Sequence, residues 1–414
     1  MTQDEAHRVT RMSGRDPHET HRTATPLELL YDLTFVIAFG LAADELAHAL
    51  AADHLAVGLG GFAFAMFAVT WAWIQYTWFA SAYDTDDWLC RLMVLVQMLG
   101  VLVLALGLPA MFASLEHGEH LDNRVMVLGY VVMRVPMVAM WLRAHRGDAS
   151  RSRAPLVYVA TIVVSQLIWC WIALADLSIR ETLVAMVVPL LIELGGPVFG
   201  ERLATQHRIP WHAHHLAERY GLLVIIALGE GLLGTVAALS AIVGPDGPGW
   251  TWDVAVLGFA GVAMTFGMWW IYFVLPNGEL LHRHRERALP WAYSHFAIMA
   301  ALVAVGAGLH VAAFFVEHHS ELGSFATVLT VAVPLAAYVL GTFGLYTLLT
   351  RTFEPFHVVL LGGTTGVVVA AVLMARSGVP LEWCLLVLAA TPWVTVVGYE
   401  TIGHRRTEDV LAAG

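Results

Sequence analysis

A glutamate lies near the middle of one long apolar segment of the chain. Glu230, in LGEGLLG, is surrounded by Gly229, Gly231 and Gly234, which permit close helix approach or local unwinding. At such a depth in a lipid-spanning helix, a carboxylate needs an ionic partner, a bound cation or a proton. Two interpretations follow. Glu230 is either a protonated carboxyl hydrogen-bonded inside a helix bundle, or a group that couples transport to protons or another ion.

Two further carboxylates stand at the start of the first apolar segment. Thr25, Pro26 and Glu28 have the spacing of a helix capping box, which would explain Glu28 structurally. Asp32 follows one helical turn later, so it shares a helix face with Glu28 amid apolar neighbours. A carboxylate buried there must be paired or protonated, which makes Asp32 a second candidate for a coupling group.

An arginine interrupts the fourth apolar segment. Arg134 lies about midway along this segment, and either Asp32 or Glu193 is placed at a depth where it could be the partner. A structural ion pair is one interpretation of this charge. The other is a gate, or a clamp for an anionic group of a substrate.

The seventh apolar segment opens with a polar cluster. His215, Glu218 and Arg219 stand near the predicted interface, where long side chains reach the headgroups and Glu218 suits a helix N-terminus. Together with His212 and His214 the cluster also resembles a metal site. Interfacial residues and a metal site are the two alternatives.

An acidic stretch precedes the third apolar segment. Asp86 and Asp87 could form a gate-like ion pair with Arg91, or they could cap the helix that begins there. Tryptophans such as Trp73 and Trp78 lie close to predicted segment ends, where an interfacial aromatic belt is expected.

These residues must be positioned by a membrane-embedded scaffold. The chain is 58% hydrophobic and 13% charged, a ratio that requires its apolar excess to face lipid. A net charge of −11 argues against nucleic acid as a partner. The three cysteines are far apart and form no CxxC motif, and the sequence predicts no cofactor.

Apolar segments of about 20 residues predict an all-α polytopic membrane protein. We predict twelve transmembrane helices, at 27–50, 57–81, 91–113, 124–143, 154–174, 181–200, 215–242, 254–274, 289–313, 323–350, 356–376 and 380–402.

The distribution of arginine predicts the orientation of these spans. The chain has no lysine; with the N-terminus inside, 17 arginines fall in cytoplasmic segments and 3 in outer ones. Such an excess is the positive-inside pattern. We therefore predict a protein of the inner membrane with both termini in the cytoplasm.

Internal similarity predicts a duplicated architecture. YDLTFVIAFG at 31–40 aligns with YGLLVIIALG at 220–229, and two further stretches match in the same order. Six spans per repeat would give two parallel halves. The predicted organisation is a disordered Arg- and His-rich tail at 1–26, a first half at 27–200, a linker at 201–214, a second half at 215–402 and a tail at 403–414.

Four of these stretches carry a family resemblance. LELLYDLTFV, DDWLCRLMVLVQMLG, YVVMR and HLAERYGLLVIIALGE are similar to motifs of the bacterial low temperature requirement protein A family, over about residues 20–400. Two departures are Leu30-Tyr31, where the family is Phe-rich, and Gly231, where many members have Ser. The resemblance implies a multi-spanning inner-membrane protein and gives no reaction. The matching positions that it implies to matter are Glu28, Asp32, Asp86, Asp87, Arg91, Arg134, Glu218, Arg219 and Glu230.

Together these features favour a transporter or permease. Its partners would be the lipid bilayer and a small solute or ion, including protons, bound at a midplane site between the halves. A membrane-embedded enzyme that acts on a lipid or lipid-linked substrate is the alternative, with the cluster at 212–218 as its only source of ligands or bases. A membrane sensor or assembly factor is a third possibility.

Overall fold

The protein is helical throughout the part of the chain that its structure, a computed structural model, describes. Described are residues 9–17, 19, 22–118, 120–148, 153–203, 208–243, 249–352 and 354–404. Twelve helical stretches in these ranges are long and apolar enough to cross a membrane, as predicted. Within them the sole β-type pairing is an isolated bridge between His120 and Ser178. The protein is therefore a multi-pass helical membrane protein.

The helices are numbered here in chain order. They are α1 (Pro26–Ala51), α2 (Leu55–Tyr83), α3 (Trp88–Leu106), α4 (Leu108–His117), α5 (Arg124–Gly147), α6 (Arg153–Leu174), α7 (Ile179–Leu203), α8 (Ala213–Val243), α9 (Trp252–Phe273), α10 (Asn277–Arg283), α11 (Ala288–Val316), α12 (Ser324–Thr350), α13 (Pro355–Arg376) and α14 (Leu381–Gly398).

Three predicted spans differ from a single regular helix. The third is divided at Gly107 into α3 and α4, with a proline in the first turn of α4. The eighth is followed by the short helix α10. The twelfth continues beyond α14 as a π-helical turn, Tyr399–Gly403. Hydropathy indicates how long an apolar segment is, but not where its helix is interrupted or changes its hydrogen-bond pattern. These three irregularities were therefore not predicted.

One compact unit comprises residues Met1–Leu41 and Phe67–Tyr220. It contains α3 to α7, together with the first part of α1, the second part of α2 and the start of α8. Within this unit α5 packs against α3 and α6, and α6 packs against α7. This unit, which we call unit 1, contains most of the buried charges.

The segment before α1 is held against the ends of the unit 1 helices. The disordered tail predicted at 1–26 stays a prediction; the described part of that range makes specific contacts. The Arg11 side chain donates a hydrogen bond from Nε to the carbonyl of Gly147, at 2.7 Å. A Cβ at Gly147 would stand 2.0 Å from the carbonyl oxygen of Met12, so only glycine lets the segment lie on the end of α5. Arginines here bind the free carbonyls of helix C-termini, which composition alone does not reveal.

The other compact unit, unit 2, comprises Ala42–Met66 and Gly221–Gly414. It contains α9 to α14 and the remaining parts of α1, α2 and α8. The most buried span is the one that includes α11, which packs against α12, while α9 packs against α14. The predicted division of the chain into two repeats at 201–214 stays a prediction.

Loops predicted for the same side of the membrane lie together inside each unit. In unit 2 the amide of Glu321 donates to the carbonyl of Ala51 at 2.8 Å, which joins the loops after α1 and α11. In unit 1 the His120 ring contacts the carbonyl of Leu177 at 2.8 Å, which joins the loops after α4 and α6. All four loops were predicted to be outside, so their pairing agrees with the predicted alternation of spans.

Candidate functional site

Arg219 on α8 is bound by two carboxylates of α1. Its Nη1 lies 2.8 Å from Glu28 Oε1, and its Nη2 and Nε lie 2.5 and 3.1 Å from the two oxygens of Asp32. None of the three side chains is more than 2% exposed. The shared face of Glu28 and Asp32 is confirmed. The expectation that Arg219 extends to the interface is wrong, because its guanidinium turns inward to α1.

Aromatic side chains of α2 complete this site. The indole N–H of Trp73 donates to Asp32 Oδ1 at 2.6 Å. The guanidinium of Arg219 lies 5.6 Å from the Trp73 ring and 5.9 Å from the Tyr76 ring, within cation–π range. Sequence reasoning assigned Trp73 to an interfacial belt and missed this role; the ring is fully buried. The Glu28–Asp32–Arg219 group is thus a compact ion pair cluster with an apolar shell.

Glu28 has a structural and an electrostatic role at once. Its Oε2 accepts from the amide of Thr25 at 2.7 Å, and its own amide donates to Thr25 Oγ1 at 3.3 Å, so the capping box is confirmed. The same carboxylate lies 3.1 Å from Nε2 of His215, which is fully buried. With a neutral His215, the group of Glu28, Asp32, Arg219 and His215 carries one net negative charge. It becomes neutral when it takes up one proton.

His212 caps α8, and both of its ring nitrogens have backbone partners. Its Nδ1 accepts from the backbone amide of His215 at 3.2 Å, and Nε2 lies 2.7 Å from the carbonyl of Glu19. Since a carbonyl only accepts, Nε2 carries the proton and the ring is neutral in this geometry. His214 is exposed, with its ring centroid 6.0 Å from that of His212, whereas the His215 ring lies against Glu28. Among the described residues no group of three or more His, Cys, Asp or Glu side chains could hold a metal ion.

Arg134 pairs with Glu193 rather than with Asp32. The Arg134 Nη2 atom lies 2.8 Å from Glu193 Oε2, and both side chains are buried. The Tyr130 hydroxyl accepts from Arg134 at 2.5 Å and donates to Glu193 at 3.1 Å. The indole of Trp169 donates to the second Glu193 oxygen at 3.2 Å. This site, built by α5, α6 and α7, is neutral and its carboxylate is fully hydrogen-bonded.

Glu230 on α8 has no such partner. Its side chain is 1% exposed, and neither carboxyl oxygen has a hydrogen-bond partner among the described residues. Gly306 of α11 faces it so closely that a Cβ there would stand 2.6 Å from the Glu230 carbonyl carbon. On α9, the hydroxyl of Thr265 also lacks a described partner, and it lies 2.7 Å from where a Gly231 Cβ would be. The first interpretation of Glu230 required a hydrogen bond within the bundle, and the described residues provide no partner for one.

The acidic residues before α3 divide into a cap and a surface pair. Asp86 binds Arg91 at 2.9 and 3.0 Å on the surface. Asp87 is the N-cap of α3, accepts from Thr10, and pairs with Arg143 of α5. Burial opposes the ionisation of Asp87, but hydrogen bonds from Arg143 and two backbone amides outweigh it and lower the pKa to about 2.

Glu218 stays at the surface of α8. Its Oε2 accepts from the backbone amide of Ala24 at 3.2 Å. This contact ties the segment before α1 to the second turn of α8, because the helix begins at Ala213 and its first turn has no acidic residue. Glu218 therefore lies beyond the first turn, where the helix dipole is strongest, and it does not take part in the buried cluster beside it.

Twelve apolar spans with charges paired inside them define a class, the polytopic helical membrane proteins whose charges lie within the bundle. The chain belongs to the bacterial low temperature requirement A protein (LtrA) family, which it matches over residues 23–391. It is 26% identical to an uncharacterized protein of Rhizobium meliloti (strain 1021) over 345 residues, 80% of this chain and 79% of that protein. No solved structure matches the chain.

Proposed function

We propose that this LtrA family protein is a membrane transporter in which Glu230 takes up and releases a proton or another small cation. The support for this proposal is one observation: the Glu230 carboxyl is buried and has no hydrogen-bond partner among the described residues. An ionised carboxylate in that setting carries an uncompensated desolvation cost. A proton or a cation removes that cost, and its uptake and release would drive a solute across the membrane.

The other buried charges are less suited to coupling. Asp32, which the sequence also offered as a coupling group, is bound by Arg219 and Trp73. Arg134, offered as an anion clamp, is occupied by Glu193. Removing one partner from such a pair leaves a buried charge uncompensated, so both pairs hold the fold together. In our proposal they form the scaffold, and Glu230 is the exchanging group.

The proposal also includes the arrangement of the chain in the membrane. It has two parallel six-helix halves, an inner-membrane location and both termini in the cytoplasm. The enzyme alternative depended on the cluster at 212–218, in which His212 is bound to backbone groups and His215 to Glu28. The transporter is therefore the function that we put to the test.

A matched pair of variants on α8 tests the proposal. Glu230→Gln removes the exchangeable charge, whereas Glu218→Gln changes an exposed glutamate of the same helix. Proteoliposomes would be adsorbed on a solid-supported membrane and exposed to steps of pH, Na⁺ and a panel of amino acids, organic acids and amines. We expect solute- or pH-driven charge movement that E230Q abolishes and E218Q retains. If E230Q keeps every flux at the wild-type level, the proposal fails.

Infrared difference spectroscopy gives a second readout that needs no substrate. A pH step should change the carboxylic acid C=O band of one buried group, and this band should be missing from E230Q. A wild-type band of the same size in E230Q would assign the exchange to another carboxyl.

A further inference from the structure

Unit 2 contains a cavity that the proposed transport site does not use. The end of α9, the last part of α12, the start of α13 and the end of α14 surround it. It encloses about 810 Å³ of space, which includes the part open to its surroundings. The volume that the centre of a water molecule can occupy, which is the one to compare with other protein cavities, is about 70 Å³, so the enclosed part is small.

The wall of the cavity is apolar and rich in rings. Six of its lining side chains are aromatic or imidazole rings, from Tyr272, Phe343, Tyr346, Phe356, His357 and Tyr399. The His357 ring packs edge-on against Phe343 and Tyr346, at 4.9 and 4.7 Å between centroids. Aromatic rings prefer edge-to-face and offset-stacked contacts, so the free faces and edges of these rings can pack against a flat ring of a ligand.

The cavity lies beside an exposed face of α13. Val358 and Val359 follow the lining residues Phe356 and His357 directly, and they are 52% and 66% exposed. On a transmembrane helix such side chains face lipid. The part of α13 that lines the cavity is therefore next to its lipid-facing part.

Tyr272, which lines the cavity, is hydrogen-bonded to His295, which lies behind the lining residues. The Nδ1 atom of His295 lies 2.7 Å from the carbonyl of Trp291, so it carries the ring proton. The Nε2 atom of this buried, neutral ring then accepts from the hydroxyl of Tyr272, at 2.9 Å. The Tyr272 oxygen has donated its proton, and its remaining capacity is that of an acceptor.

A second hydroxyl in the wall lacks a partner. Thr395 lines the cavity, is 6% exposed, and its Oγ1 has no hydrogen-bond partner among the described residues. A buried hydroxyl without a partner costs free energy, and a ligand hydroxyl could satisfy it. Thr395 can donate to or accept from such a group, and Tyr272 can accept from it.

We propose that this cavity binds a membrane-soluble aromatic alcohol, a compound with a flat apolar ring and a hydroxyl group. The rings of the wall pack on the flat body of the ligand. The oxygens of Tyr272 and Thr395 receive its hydroxyl. The proposal concerns binding alone and does not depend on transport through Glu230.

Photolabelling in proteoliposomes tests the proposal with 2-naphthol as the probe. A photoreactive azide of 2-naphthol is cross-linked, and the labelled peptides are identified by mass spectrometry. Competition is measured with 2-naphthol and with 2-methoxynaphthalene, which has the same ring but no donor. We expect labels on the cavity ends of α9, α12, α13 or α14, and competition by 2-naphthol about tenfold stronger than by the ether.

Two variants, each with a control, test separately the space inside the cavity and the hydroxyl of Thr395. Thr342→Trp fills the cavity and should abolish labelling, whereas Val397→Trp adds the same bulk at a lipid-facing position of α14. Thr395→Val removes the free hydroxyl and should erase most of the preference for 2-naphthol over its ether. Thr330→Val makes the same change on α12 outside the cavity and should have no effect.

Some results would overturn the proposal. They are labels scattered over lipid-facing residues, labelling that T342W leaves unchanged, or equal competition by 2-naphthol and its ether. None of these results bears on the E230Q experiment, so the two proposals fail independently.

Discussion

At the scale of single residues, Arg219 and Glu230 show two ways in which a charge is placed in one apolar helix. Arg219 meets two carboxylates and two aromatic rings, so its burial is compensated. Glu230 lies against Gly306 of α11, and neither of its carboxyl oxygens has a hydrogen-bond partner among the described residues. In the first arrangement the charge of the arginine is balanced by direct ion pairs. The second is stable only with an added proton or cation, which is why we assign exchange to Glu230.

The Arg134–Glu193 pair predicts strong non-additivity between two substitutions. Arg134→Met leaves the Glu193 carboxylate buried without its counter-charge, and such losses typically cost about 3–5 kcal/mol. Glu193→Gln removes the charge and keeps one acceptor, the amide oxygen, for Tyr130 or Trp169. We expect the double variant to be more stable than Arg134→Met alone, measured by unfolding in detergent micelles. Additive losses would mean that the pair contributes no coupling.

At the scale of elements, the contact of α8 with α11 depends on a missing side chain. Gly306→Ala would place a methyl group 2.6–2.7 Å from the backbone of Glu230, so the two helices must separate. Overpacking of this kind costs about 1–3 kcal/mol. A lowered melting temperature of the purified protein is the expected result.

The control for this prediction lies on α8 itself. A Cβ at Gly229 would meet nothing within 4 Å, so Gly229→Ala should be neutral or slightly stabilising through helix propensity. Equal losses for both variants would show that glycine flexibility, and not the close approach, matters at these positions.

The N-terminal cap of α8 predicts a pH dependence of stability. Burial lowers the pKa of His212 below its usual value of 6.5. The unfolded chain therefore binds more protons than the native one as the pH falls below about 6.5, and the contribution of the neutral cap is lost. Protonation of Nδ1 would also remove the acceptor for the amide of His215.

His212→Asn tests this mechanism, because asparagine caps helices and does not titrate. Between about pH 7.5 and pH 5.5 the melting temperature of the wild type should fall more steeply than that of the variant. His214→Asn, at the exposed neighbour, should follow the wild type. If H212N and the wild type have parallel profiles, other groups cause the pH dependence.

At the scale of the whole molecule, the sequence was sufficient for the number of spans and not for their pairing. Hydropathy detects twelve apolar segments because each must satisfy its own backbone in lipid. It says nothing of which face of a helix meets a neighbour, so Trp73 and Arg219 were placed at the interface. Depth in the membrane left Asp32 and Glu193 as the candidate partners of Arg134. The structure shows that the partner is Glu193.

The predicted orientation can be tested with single cysteines in a background without the three native ones. Asp53→Cys and Glu321→Cys, in exposed loops predicted to be outside, should react with a membrane-impermeant maleimide in intact cells. Arg283→Cys and Arg351→Cys should react after permeabilisation only, because the arginine excess assigns them to the cytoplasm. The reverse pattern would invert the topology.

The ion pairs of Arg219 have a consequence for biogenesis. Asp32 and Arg219 are 187 residues apart in the chain. At about 5–20 residues per second, a ribosome needs roughly 10–40 s to synthesise that interval. During this time α1 is made and α8 is not, so the carboxyls of Glu28 and Asp32 must be held protonated, solvated or shielded by an insertion factor. The helix bundle therefore cannot finish folding until α8 has been synthesised and Arg219 can pair with these two carboxylates.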